Sequence, residues 1–119
     1  MALHNETGAA GEELAVTYIT SNGYSILHQN WRYKHWEVDI IATKDNILHF
    51  IEVKTRKTFS YGLPEERVTK KKMKNLFYAA EAYLHSNPQW KRIQFNILSI
   101  TIRPNKEPDF FFIEDISTN

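Results

Sequence analysis

Apolar positions along the chain switch between two periods. From about Gly8 to Asn22, the residues Ala10, Leu14, Ala15, Tyr18 and Ile19 recur at helical spacing, and Gly23 follows as a stop. The stretch 24–33 (YSILHQNWRY) then predicts a strand. Residues 36–44 and 47–56 predict a second and a third, joined at Asp45-Asn46, a pair suited to a tight hairpin turn. After a loop containing Gly62 and Pro64, Thr69 is placed to cap a second helix that runs to about Ser86, with Met73, Leu76, Phe77, Ala80 and Leu84 as its apolar stripe. RIQFNILSITI predicts a fourth strand, and DFFFIED a short fifth after the turn from Pro104 to Pro108. The order α-β-β-β-α-β-β predicts an α/β fold, a mixed β-sheet with flanking helices, because the last helix-to-strand step allows a parallel crossover.

The second and third strands hold a contradiction. The stretch WEVDIIATKDNILHFIEVKTR places Glu37, Asp39, Glu52 and Lys54 inside apolar runs. Side chains alternate faces along a strand, so Glu37 and Asp39 are expected to share one face, and Glu52 and Lys54 to share one on the next strand. A turn centred on Asp45-Asn46 pairs Lys44 with Ile47, which sets Asp39 opposite Glu52 and Glu37 opposite Lys54. Opposed residues have Cβ atoms only ~4.5–5.5 Å apart, where like charges are destabilising. Either this face is solvated, or the two carboxylates meet a divalent cation. Leu48 and Phe50 share the face of Glu52 and Lys54 and favour the second reading, an apolar face opening into a polar pocket. Mg²⁺ takes carboxylate oxygens and keeps several waters. A nearby lysine could then orient a metal-bound water or stabilise charge on a phosphate, which is phosphodiester chemistry.

Composition changes this picture in two places. The 119 residues fit a single domain over 1–119, able to bury roughly 65% of its unfolded surface without staples. There is no cysteine, which excludes disulfides and thiolate metal sites and suits a reducing, cytoplasmic setting. No basic segment precedes an apolar core at the N-terminus, and nowhere do about 18 apolar residues run together, so neither a signal peptide nor a membrane span is expected. The net charge is +1, but Lys54 to Lys74 holds eight basic residues against Glu65 and Glu66, so a local +6 leaves −5 for the rest. A basic segment on an acidic body fits a polyanion met on one side, and equally a solvated helix start. The five histidines (His4, His28, His35, His49, His85) lack zinc-site spacing, and His49 is expected to point away from the face of Glu52. Trp31, Tyr33, Trp36 and Tyr61 could stack on bases, with Tyr61, in the loop, the favoured contact.

Several blocks together, GAAGEELA, YSILHQNWR, WEVDIIA, FIEVKTR, RVTKKKMKNLFYAAEAYL and RIQFNIL, resemble the bacterial YraN-type family. VD followed by IEVK after a hairpin resembles the core of the PD-(D/E)xK nucleases, a restriction-endonuclease-like group that includes the Holliday junction resolvases. The resemblance implies Asp39 and Glu52 as metal ligands and Lys54 as the catalytic lysine. It also implies Glu12 as the helix glutamate of the acidic cluster, although a first-turn acid is favoured by the helix dipole alone. Glu37 matches an acidic position beside the aspartate, a supporting place that the register sets opposite Lys54. (Trp36, Met73 and Asn96 stand where glycine, glutamine and aspartate are usual.) None of these departures removes the Asp39–Glu52–Lys54 core.

Two function classes follow. The first is a metal-dependent endonuclease, with Mg²⁺ or Mn²⁺ between Asp39, Glu52 and the backbone carbonyl of Val53. Arg56, Lys57, Lys70, Lys71, Lys72, Lys74 and Tyr61 would then hold nucleic acid, DNA before RNA, with branched or junction DNA the first expectation. The second is a nucleic-acid-binding or partner-binding module that keeps the fold and does not cleave. A homodimer is compatible with either.

Overall fold

The computed structural model describes residues 2–57 and 70–116, with side chains over 10–57 and 71–116. The elements follow the expected order: α1 (Ala2–Ser21), β1 (Ser25–Tyr33), β2 (Trp36–Lys44), β3 (Ile47–Lys57), α2 (Lys70–Ser86), β4 (Ile93–Ile102) and β5 (Asp109–Ile113). The strands form one sheet in sequence order, antiparallel at β1–β2, β2–β3 and β4–β5 and parallel at β3–β4. The parallel step is the one bridged by α2, as a crossover requires. Thr69 and Tyr61 lie outside the described residues.

Each helix covers one face. Ala15 and Ile19 of α1 are fully buried with Ile40, Ala42, Ile51, Leu98 and Ile100. Leu76, Ala79, Ala80 and Tyr83 of α2 pack with Val38, Ile41, Leu48 and Phe50. The end of α1 is set by Gly23, whose φ of 90° is open to glycine without strain. Tyr24 N–H donates to the Ile19 carbonyl at 3.2 Å and Gly23 N–H to that of Thr20 at 3.1 Å, a Schellman arrangement. Tyr24 and Ile19 supply the apolar contact that accompanies it.

The hairpin turn is as the sequence predicts. Asp45 and Asn46 both take positive φ (55° and 65°), the backbone of a two-residue turn whose twist matches the flanking strands. The β2–β3 register is also the expected one from Lys44↔Ile47 to Ile40↔Ile51. There the paired ladder ends, so two expected pairs are not part of it: Asp39 with Glu52, and Glu37 with Lys54. Val53 N–H donates instead to Asp39 Oδ2 at 2.7 Å, and Glu37 forms an ion pair with its neighbour across β1–β2, Arg32, at 3.2 Å.

Glu37 stays within electrostatic reach of Asp39, although the alternation along β2 is not regular. Val38 belongs to the cluster under α2, whereas Ile40 belongs to the cluster under α1. Residues two apart on a regular strand share a face, so the alternation is interrupted at Asp39. The same interruption occurs on β1. His28 and Trp31, three apart, both set their rings against Tyr83 of α2. Between them Asn30 takes a φ of 54°, and the register puts it opposite Asp39. The β1–β2 register holds across these two irregularities and shifts instead between Ile26 and His28, so Asp39 is re-aimed without an inserted residue beside it.

Candidate active site

Asp39 opens into a cavity of about 210 Å³ between α1 and the sheet, lined by Glu12, Gln29, Asn30, Val53 and Thr55 among others. Glu12 is thus brought to Asp39, as the resemblance implies. The approach depends on Gly11, since a Cβ there would stand 2.9 Å from the Thr55 Cβ, closer than side-chain carbons approach. Gln29 and Asn30 were not singled out from the sequence, because a kink inside a strand has no signal in the apolar pattern.

Glu52 follows Phe50 on β3 by the alternation that puts Phe50 under α2. The two half-buried carboxyls nevertheless feel each other, across the place where β2 and β3 part. Burial pushes Asp39 up to about 6, against the Val53 N–H bond that lowers it, with Glu37 and Glu12 adding to the rise. Glu52 is pushed up to about 7, first by burial and next by the Asp39 charge. Lys72, in the first turn of α2, favours the ionised form of both, and Lys54 that of Glu52. Lys72 therefore belongs to this cluster as well as to the basic segment.

The donor set fits a hard divalent cation. Asp39 Oδ2 is engaged by Val53, which leaves Oδ1 and the Glu52 carboxyl. Within a strand, a residue's N–H and C=O project to the same edge, so the Val53 carbonyl points toward the same gap. Two carboxylates and a carbonyl suit Mg²⁺ or Mn²⁺ with several waters retained. Among the described residues no three His, Asp or Glu side chains form a preformed cage. Of the expected nucleic-acid contacts, Lys57, Lys71, Lys72 and Lys74 are exposed, and Arg56 is half-buried with Nε and Nη1 out of solvent. The Lys70 side chain lies outside the described ones.

A second buried polar cluster lies three residues back along β3. Asn96 Oδ1 accepts Asp115 N–H at 2.9 Å, which orients its amide so that Nδ2 donates to His49 Nδ1 at 3.0 Å. The His49 ring also bonds the Lys44 backbone and packs edge-on against Tyr24 at 4.8 Å. Burial holds its pKa below the usual histidine range. His49 is structural and faces α1, away from the face of Glu52, as expected.

A mixed α/β sheet with an acidic pair at an opened hairpin defines the class. The chain belongs to the uncharacterised protein family UPF0102, whose profile matches residues 11–100 and which is the YraN family of the sequence resemblance. A UPF0102 protein of Bacteroides thetaiotaomicron is 44% identical over 84% of this chain and 83% of its own. One from Phocaeicola vulgatus is 44% identical over 98% and 93%, and one from Flavobacterium johnsoniae 38% identical over 98% and 95%. No helix among the described residues is long and apolar enough to cross a membrane.

Proposed function

We propose that the protein is a metal-dependent endonuclease acting on nucleic acid, with DNA, and branched or junction DNA in particular, as the first candidate substrate. The observation that carries this is the meeting of Asp39 and Glu52, half-buried and mutually repelling, where the β2–β3 ladder stops. A sheet that needed only stability would fill these positions with apolar residues or pair them. Asp39 Oδ1, Glu52 and the Val53 carbonyl would hold Mg²⁺ or Mn²⁺, which supplies Lewis-acid activation of water when bound. Val53 N–H fixes the Asp39 carboxylate by occupying Oδ2, so that Oδ1 is presented in one orientation. Lys54 is placed to orient the attacking water or to stabilise charge on the phosphoryl oxygens. Lys72 offsets the acidic pair, and the exposed Lys57, Lys71 and Lys74 hold phosphates without reading sequence.

A non-cleaving module that binds nucleic acid or a protein partner is the rival, favoured by the absence of a three-carboxylate cage among the described residues. The test is cleavage of labelled single-stranded, duplex, flapped and four-way-junction DNA, and of RNA, with Mg²⁺ or Mn²⁺. Wild type is run beside Asp39→Ala and Lys54→Ala. Metal-dependent cutting lost in both variants supports the nuclease. No cutting of any substrate, or equal cutting by the variants, rejects it.

A further inference from the structure

The exposed face of α2 carries Lys71, Lys74, Tyr78, Glu81 and His85, three or four residues apart and thus in one stripe. Its distal half borders a groove of about 340 Å³ whose other wall is Tyr33 and Trp36, from the closed end of the β1–β2 hairpin. The rings there form a continuous series. Trp31 and Tyr33 lie within 10° of parallel at 6.5 Å, and Tyr33 and Trp36 within 21° at 6.3 Å. Trp36 then meets Tyr78 of α2 at 5.3 Å. Trp31 and Trp36 pack against the core under α2, while Tyr33 and Tyr78, each 45% exposed, carry the series to the surface. Lys34 sits over the Tyr33 ring at 5.5 Å, a cation at the platform's edge.

We propose that this groove binds unpaired nucleotides, a base stacking on Tyr33, Trp36 and Tyr78 while the adjoining phosphates follow Lys74 and Lys71. Three features favour a nucleic acid strand over an apolar partner. The near-parallel rings of Tyr33 and Trp36, with Tyr78 tilted 42° to Trp36 across the groove, match the π-face that every base offers, and cations flank the array at Lys34 and along α2. The same helix also serves the acidic pair: α2 presents Lys72 to Asp39 and Glu52 and Tyr78 to Trp36, about 9 Å apart along the helix axis. A duplex cannot offer its base faces to such a platform, so the occupant is single-stranded. In naming the substrate class the inference rests on the nuclease reading, but binding by the groove is separable from cutting.

The experiment measures binding of a labelled 12-nucleotide oligothymidylate, an oligouridylate and a blunt duplex to the full chain in EDTA, by fluorescence anisotropy. Tyr33→Ala and Tyr78→Ala are each expected to weaken oligothymidylate binding about 5- to 10-fold, with duplex binding unchanged. Lys71→Ala/Lys74→Ala should flatten the salt dependence of binding. Tryptophan emission of the wild-type protein needs no variant and should be quenched as the oligonucleotide saturates. Unchanged emission, duplex bound as tightly as single strand, or folded tyrosine variants that bind normally would each overturn the proposal. So would loss, in those variants, of a wild-type dimer that does not bind oligonucleotide, which would assign the groove to a second copy. Aromatic-dependent binding without metal-dependent cutting would reject the nuclease and keep the groove. Cutting with no dependence on the tyrosines would do the reverse.

Discussion

Strand β3 carries two polar sites that the fold treats in opposite ways. At His49 the buried polarity is closed: Asn96, Asp115 and the Lys44 backbone satisfy the ring and one another, and burial lowers the pKa of the imidazole. Three residues on, at Glu52, the polarity is open: burial raises the proton affinity of both carboxyls, the Asp39 charge adds to that of Glu52, and the β2–β3 ladder ends beside them. Both sites remove polar groups from water. The first is complete within the chain, which is what a structural role needs. The second is left with carboxyls whose proton affinity is raised despite Lys72 and Lys54, the pattern that a binding or catalytic role produces.

The comparison breaks most sharply under substitution. Asp39→Asn keeps an acceptor for Val53 N–H but removes the charge, and should lower metal-dependent cleavage by about 100-fold or more, measured at equal protein concentration. It should leave the melting temperature of the metal-free protein unchanged or higher. At the closed site the outcome reverses. Asn96→Ala strands His49 Nδ1 and Asp115 N–H and should cost about 2–4 kcal/mol of stability in urea titration, with no direct effect on cutting by the fraction that stays folded.

A smaller effect sharpens the contrast through pH. The folded protein holds protons on Asp39 and Glu52 up to about 6 and about 7, whereas the unfolded chain gives them up at ordinary carboxyl values. Stability from this pair is therefore present at low pH and is lost as pH rises through 7. His49 has the opposite sign. The unfolded chain takes up a proton at the usual histidine value that the folded ring refuses, so its contribution is lost as pH falls. Glu52→Gln should accordingly stabilise the metal-free protein at pH 8 by about 1–2 kcal/mol. It should also tilt the stability profile toward loss in acid, as urea titrations at pH 5 and pH 8 would report. Wild type should gain melting temperature on adding Mn²⁺, and Glu52→Gln should lose that gain. The smallest effect is local: Asn96→Asp puts an anion against His49 Nδ1 and should raise the pKa of that ring, read by NMR titration. A ring that titrates as in wild type would show that the Asn96 contact does not set its protonation.

Much of this was legible along the chain, and the reason is local. The period of the apolar residues, Gly23 after α1 and Asp45-Asn46 between β2 and β3 encode element order and hairpin register through backbone geometry that needs no distant partner. Register in turn set Asp39 and Glu52 toward each other with Lys54 two residues beyond Glu52, although the ladder itself stops at Ile40↔Ile51, and the family resemblance added Glu12. What the tertiary structure decided is where that regularity stops. Strict alternation cannot foresee the irregularities at Asn30 and Asp39, across which the β1–β2 register holds. The end of the ladder at Ile40↔Ile51 and the ion pair of Glu37 with Arg32 likewise have no signal in the apolar pattern. Lys72 reaches the acidic pair, and Tyr78 reaches Trp36, only because α2 crosses the sheet between two parallel strands. Sequence fixes the spacing of side chains along each element; which elements face one another is settled only when both helices bury their apolar stripes on the same sheet.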